Sequence, residues 1–214
     1  MENIEQIIDE VVKRVQEKVH LNQATVEVEM SARHIHLSQD AIEQLFGKAY
    51  QLRPRKQLSQ PGQYASEERV TVVGPKGIIQ NVSILGPARA ESQVEMSLSD
   101  LRILGIEAVV RESGNLEGTP EVTLVNNGNV CRLNQGVIVA QRHIHLSLDE
   151  AKDFGVKNGQ IVKVKVNGKR PVIFEDVVIR AREGFAADMH IDTDEANACG
   201  YFKGMRAEII LDER

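Results

Sequence analysis

Ser31-Ala-Arg-His-Ile-His-Leu-Ser38 returns almost unchanged as Ala140-Gln-Arg-His-Ile-His-Leu-Ser147, and these two octapeptides hold four of the six histidines in the 214-residue chain. A duplication of this kind demands a fold that accommodates the same local structure twice. Alternate side chains of an extended strand share one face. His34 and His36 therefore point the same way, as do His143 and His145, with Ile35, Leu37, Ile144 and Leu146 on the opposite faces. Two imidazoles on one strand face are half of a metal site. A shared turn explains the repeated serine, and shared packing the repeated Ile and Leu, but neither calls for four histidines. The doubled pair points to a centre of two metal ions, and to an enzyme.

The repeat extends past the octapeptides. Each is followed by a short helical segment ending at glycine, Gln39 to Phe46 before Gly47 and Leu148 to Phe154 before Gly155. Ser38 and Ser147 are natural N-caps, and Ser147 with Glu150 spells a capping box. Strands are predicted at Arg69 to Val73, Gly77 to Leu85, Gly159 to Val166 and Arg170 to Ile179. A second correspondence closes each half: Val94-Glu-Met-Ser-Leu-Ser-Asp100 aligns with Met189-His-Ile-Asp-Thr-Asp-Glu195. Each reads as a strand, an N-cap (Ser97, Asp192), an acid three residues on (Asp100, Glu195) and a glycine stop (Gly105, Gly200). The alignment sets Glu95 against His190, each two residues before its cap, as are His36 and His145. The extra length of the first half falls near Arg53-Pro-Arg-Lys-Gln-Leu-Ser-Gln-Pro-Gly62, read as a basic loop.

Short strands, Gly-bounded turns and the duplication predict a mainly β protein with short helices, built as two related β-barrel domains. The expected division is 25–125 and 126–214, with strand exchange between the domains allowed for. Ahead of them, Ile4, Ile7, Ile8, Val11, Val12, Val15 and Val19 mark an amphipathic helix within residues 1–20. His20 to Ala24 reads as a linker.

Composition excludes several classes. A net charge of −5 gives no general pull toward nucleic acid or an anionic membrane, and the absence of Trp with 4% aromatic residues argues against base-stacking platforms. There is no apolar run long enough to span a bilayer and no secretory h-region. Cys131 and Cys199 form no spacing motif and read as buried free thiols in a reducing cytosol.

Each half therefore offers a triad: His34, His36 and Glu95, then His143, His145 and His190. Three protein ligands leave an open position, the mark of a catalytic rather than a structural site. Imidazole with carboxylate suits Zn²⁺, and also Co²⁺ or Fe²⁺. Glu95 has a second reading as an exposed strand carboxylate. Arg89, between the triads, offers a planar fork for phosphate or carboxylate, against the alternative of an ordinary surface arginine. Arg33 and Arg142 point away from the histidines and read as structural.

The paired Arg-His-Ile-His-Leu-Ser motifs, Leu85-Gly-Pro-Ala-Arg89, Gln93-Val-Glu95 and Asp188-Met-His190-Ile resemble the PduL-type phosphotransacylases, or phosphate propanoyltransferases, across residues 25 to 212. The resemblance implies two β-barrel domains and a dimetal site, usually zinc, that exchanges coenzyme A for phosphate on a short acyl group, with propionyl-CoA first and acetyl-CoA next. It implies metal ligation by His34, His36, Glu95, His143, His145 and His190, and phosphate binding by Arg89. Ser31, Lys56, Leu85, His190 and Asn197 map to positions near CoA. One departure is Ser83, where the family pattern carries an arginine. Transfer would be direct, the CoA sulfur held as thiolate and the phosphate held by the second metal with Arg89, without a protein nucleophile. In compartment-housed relatives a short amphipathic helix joins shell or core proteins; residues 2–19 fit that description, which would place the chain in the cytoplasm inside a bacterial microcompartment. Packing of that helix on its own barrel or in a homo-oligomer is the alternative. Two other classes stay open: another His/Glu metalloenzyme such as a thioester hydrolase, and a metal-stabilised assembly protein.

Overall fold

The computed structural model of the chain describes residues 24–211 together with Ile8, Glu10 and Val11. From the N-terminal side the strands run β1 (Thr25–Met30), β2 (His34–Ser38), β3 (Pro54–Gln57), β4 (Tyr64–Val73), β5 (Ile78–Arg89), β6 (Gln93–Glu95), β7 (Val110–Arg111) and β8 (Val122–Asn126). They continue as β9 (Asn129–Leu133), β10 (Val137–Ala140), β11 (His143–Leu146), β12 (Ile161–Val166), β13 (Val172–Ala181), β14 (Asp188–Ile191) and β15 (Arg206–Ile210). Four short helices each follow a strand: α1 (Gln39–Phe46) after β2, α2 (Leu98–Leu104) after β6, α3 (Leu148–Asp153) after β11 and α4 (Thr193–Cys199) after β14.

The fold is mainly β, and the sequence repeat is also a topological one. β2 lies between β5, parallel to it, and β6, antiparallel to it. β11 lies in the same way between β13 and β14. β4 pairs with β5 as β12 pairs with β13. The two sheets differ in closure. Strands β1-β14-β11-β13-β12-β15 form a closed barrel, because β15 pairs with both β12 and β1. The other sheet, ordered β7-β10-β6-β2-β5-β4-β8-β9 with β3 on β4, curls into a half-barrel that ends at β7 and β9. One of the two expected barrels is therefore closed and one is open.

Two compact units follow from this pairing. One holds residues 30–141 and 191–197, the other 24–29, 142–190 and 198–211. The division expected at 125/126 falls inside β8, whose ladders with β4 and β9 keep residues 122–133 in the half-barrel. The chain passes to the barrel at 141/142 instead. β1 precedes β2 in sequence yet completes the sheet of β11, while β10 precedes β11 yet pairs with β6 in the sheet of β2. The stretch read as a basic loop contains β3, exposed throughout, where Pro54 is tolerated at a sheet edge. Of the N-terminal helix, Ile8, Glu10 and Val11 are helical, and the rest of residues 1–20 lies outside the described residues.

The caps form as read. Ser38 Oγ accepts from the Ala41 amide at 3.3 Å. Ser97 with Asp100 and Ser147 with Glu150 make reciprocal capping boxes. Asp192 with Glu195 repeats the exchange, both bonds at 2.9 Å. Each of these three reciprocal pairs satisfies two amides at a helix start that would lack acceptors, and Ser38 satisfies one. Gly47, Gly105, Gly155 and Gly200 all take positive φ, which releases the chain from each helix without a Cβ clash. Arg33 is structural, as its outward direction predicts: Nε and Nη2 reach the buried Asp100 carboxylate at 3.1 and 2.9 Å.

Behind the histidines lies the core. Ile35 and Leu37 are fully buried and join Ile42, Leu45, Ile84, Leu101 and Leu104 in the half-barrel core. Ile144 and Leu146 are buried as completely in the barrel. Each such side chain contributes roughly 1.5–3 kcal/mol, so a one-residue slip of β2 or β11 would put imidazoles in the core and leucine at the site. The histidine direction is thus locked by packing on the other face.

Candidate metal centre

Antiparallel pairing with β6 sets Glu95 opposite His34 and Gln93 opposite His36. Pairing of β11 with β14 sets His190 opposite His143 and Asp188 opposite His145. Residues opposite one another share a face, so each triad is assembled by two adjacent strands. In each of the sets His34, His36, Glu95 and His143, His145, His190, donor atoms of all three members lie within 4.8 Å of one another.

In the first set, His34 Nε2 and His36 Nε2 face the Glu95 carboxylate at 3.4 and 3.9 Å. The Ala32 carbonyl lies 2.9 Å from His34 Nδ1. A carbonyl only accepts, so it places the proton on Nδ1 and leaves Nε2 for a ligand. Glu95 is held in turn: Gln93 Nε2 donates to Oε1 at 2.5 Å and Ser113 Oγ donates to the same oxygen at 3.3 Å. In the second set the rings of His143, His145 and His190 lie with centroids 4.7 to 5.0 Å apart. Asp188 Oδ1 is 2.7 Å from His190 Nε2 and 3.5 Å from His145 Nδ1.

The donor chemistry fits divalent cations. His36 Nδ1, His145 Nδ1 and His190 Nε2 are buried, and the last two face the Asp188 carboxylate, an assembly of donor atoms that a cation would satisfy. Burial, with the neighbouring His34 and Arg89, pushes His36 down to about 3, despite Glu95 and the Leu85 carbonyl. Burial also lowers His145, with Asp188 opposing and His190 adding to the fall. Burial alone would lower His34 too, but Glu95 and the Ala32 carbonyl raise it above its ordinary value. His36 and His145 are thereby held neutral, the state in which an imidazole can ligate a metal.

These directions predict a stability profile for the metal-free protein. His36 and His145 take up protons more readily unfolded than folded, so stability falls as pH drops from about 6.5 toward 3. His34 stabilises fully below 6.5 and loses that contribution as pH rises through its folded value. For these groups stability peaks near pH 6.5, with limbs of up to about 1.4 kcal/mol per pH unit per proton. Urea unfolding in chelator across a pH series checks it; a monotonic rise through pH 8 would contradict the His34 assignment.

Lys56 and Leu85 lie in register with the first set. Register runs Lys56 to Ala65 to Leu85 to His36, so Lys56 and Leu85 share a cross-strand row with a ligand histidine. Gly86 follows Leu85 where a Cβ would collide with the Tyr64 ring. Arg89 ends β5, donates from Nη1 to Ser113 Oγ at 3.1 Å, and its charge helps hold His36 low. Ser31 donates its amide to the Ile191 carbonyl at 2.8 Å, and Asn197 is exposed on α4. Ser83, opposite His34, accepts from Arg69 Nη1 at 2.6 Å, so a guanidinium borrowed from β4 stands beside this position. Sequence reasoning missed Gln93, Ser113 and Arg69 as site neighbours. The signal for Gln93 was present, since it sits two residues before Glu95 and so shares its face. Ser113 and Arg69 arrive through tertiary pairing alone. Both cysteines are buried thiols, and burial raises that of Cys131, so neither reads as a nucleophile. No helix among the described residues is long and apolar enough to cross a membrane.

The chain is similar in sequence to proteins of one family. The family model described as phosphate propanoyltransferase matches residues 27–202. The phosphate propanoyltransferase of Enterococcus faecalis (strain ATCC 700802 / V583) is 57% identical over 210 residues, covering 98% of each chain. That of Clostridioides difficile (strain 630) is 50% identical over 211 residues, covering 98% of this chain and 99% of the relative. That of Listeria monocytogenes serovar 1/2a (strain ATCC BAA-679 / EGD-e) is 50% identical over 209 residues, covering 98% and 96%.

Proposed function

This chain belongs to the phosphate propanoyltransferase family, and from that premise we propose that it interconverts a short-chain acyl-CoA and phosphate with acyl phosphate and CoA. Propionyl-CoA is the leading acyl donor, with acetyl-CoA the alternative. The observation that carries this reading is the pair of three-donor clusters, one of them within the field of Arg89. The reaction breaks the thioester C–S bond and forms a C–O bond to phosphate; the proton of the phosphate ends on the CoA thiol.

His34, His36 and Glu95 hold one divalent cation and His143, His145 and His190 the other, zinc in first place and Co²⁺ as the alternative. Such ions, when bound, bring a thiol with pKa near ~8.5 to its thiolate form at neutral pH and offset phosphate charge. Arg89 clamps phosphate oxygens with its fork and faces the charge that develops on the acyl carbonyl oxygen. Ser113 steadies Arg89, and Gln93 holds Glu95 for its ligand role. Lys56 offers an ammonium to CoA phosphate, while Ser31, Leu85, His190 and Asn197 contribute the rest of the CoA contacts. With both substrates bound together, transfer is direct and needs no acyl-enzyme. Residues 2–19 join the shell or core proteins of a bacterial microcompartment, or a second copy of the chain in a homo-oligomer. In that stretch Ile8 and Val11 are 53% and 54% exposed.

The test is thiol release from propionyl-CoA, with and without phosphate, before and after chelation and zinc repletion. Release that requires both phosphate and metal is the expected result. Release without phosphate would make the protein a thioester hydrolase. No release under any condition would leave a metal-stabilised assembly protein.

A further inference from the structure

The two clusters occupy equivalent lattices of four positions, and their fourth corners differ. In the half-barrel the corners are His34, Glu95, His36 and Gln93; in the barrel they are His143, His190, His145 and Asp188. Gln93 and Asp188 are therefore counterparts. Gln93 is neutral, 1% exposed and fully occupied: it donates to Glu95 and, at 2.8 Å, to Ser113 Oγ, and accepts from the Gly114 amide at 2.7 Å. Its place is to orient a carboxylate ligand. Asp188 is a carboxylate itself, 3% exposed, with Oδ1 against His190 Nε2 and His145 Nδ1 at 2.7 and 3.5 Å. Donor atoms of Glu29, Asp188 and His190 also lie within 4.8 Å of one another.

A carboxylate so desolvated is costly unless positive charge faces it. Two imidazoles, those of His190 and His145, face it, and their donor chemistry suits a cation. The first cluster has one carboxylate, Glu95. The second, read from its three histidines alone, has none. We propose that Asp188 is the carboxylate of the second cluster, joining His143, His145 and His190 in holding its divalent cation and supplying there the charge that Glu95 supplies to the first. Each half then supplies a carboxylate to its cation from a different corner of the same lattice, with Glu29 a further carboxylate beside Asp188 and His190 in the second. Zinc expands from four to five ligands, so a substrate atom still has a place. The assignment rests on the two-cation reading above.

The experiment loads chelator-stripped protein with zinc, counts bound metal, and measures affinity by competition with a chromogenic chelator. Wild type is expected to hold two zinc ions. Asp188→Asn is expected to keep one at wild-type affinity and to weaken the other by about 10- to 100-fold, the range for groups that support metal ligands. Its zinc-induced rise in Tm should shrink, while the metal-free Tm should not fall, because an amide of the same shape removes a desolvated charge. Two zinc ions at wild-type affinity in Asp188→Asn would overturn the assignment. A lower metal-free Tm with an unchanged zinc increment would overturn it too, since that marks a purely structural role. Asp188→Glu, keeping the charge on a longer stem, is expected to recover part of the lost affinity and carries the test if the amide variant does not fold. Wild type holding fewer than two zinc ions would instead overturn the two-cation reading itself, a result seen before any variant is made.

Discussion

His36→Ala is expected to lower phosphate-dependent CoA release by at least on the order of 10²-fold and to remove one of two bound zinc ions. Groups that merely support metal ligands cost 10- to 100-fold when lost, and a direct ligand is the more severe loss. His36 is 3% exposed, with Gln93 opposite it and Leu85 in register on the other side. Alanine would therefore leave a buried gap and a Glu95 carboxylate with one fewer neighbour. Truncation at such a site destabilises by about 1–3 kcal/mol, so folding must be scored separately. Far-UV circular dichroism and zinc content do that, and His36→Gln serves as a volume-matched control. A His36→Ala protein with two zinc ions and full turnover would remove the first cluster from the chemistry.

Arg89→Ala is expected to reduce kcat/KM for phosphate by about 10²–10³-fold, the loss typical of removing one donor aimed at transition-state charge, while zinc content stays at the wild-type level. The separation matters. A variant that lost metal as well would show that Arg89 maintains the cluster, through Ser113 and the hydroxyl bond to Glu95, rather than binding phosphate. Arg89→Lys should recover only part of the rate, since an ammonium cannot reproduce the planar two-donor fork. Steady-state kinetics with phosphate varied at saturating propionyl-CoA resolves the effect. An Arg89→Ala enzyme with an unchanged KM for phosphate and an unchanged kcat would assign the arginine to the surface.

Both variants were nameable before any coordinates because the informative signals are local. Strand alternation places His34 with His36, and a cap two residues after each of His36, Glu95, His145 and His190 marks four equivalent strand ends, all found as read. Glu95 was ambiguous from its neighbours alone, since an exposed strand carboxylate has the same sequence signature. Pairing of β6 with β2 sets it opposite His34, with its carboxylate facing both histidines. The 53–62 stretch was misread because a proline in an edge strand looks like a loop until its partner is known.

What the residues determine by themselves is thus the duplication, the directions of the four histidines, the helix caps and the candidate donor set, all products of periodicities of a few residues. What only the tertiary structure decided is which strand pairs with which. It closed the barrel by placing β15 between β12 and β1 and left the half-barrel open at β7 and β9. It also carried β1 and β10 away from the ligand strands they precede, moving the division of units from 125/126 to 141/142, and it set Asp188 against two imidazoles. Cross-strand pairing depends on burial and register summed over the whole sheet, and no window of neighbouring residues contains that sum.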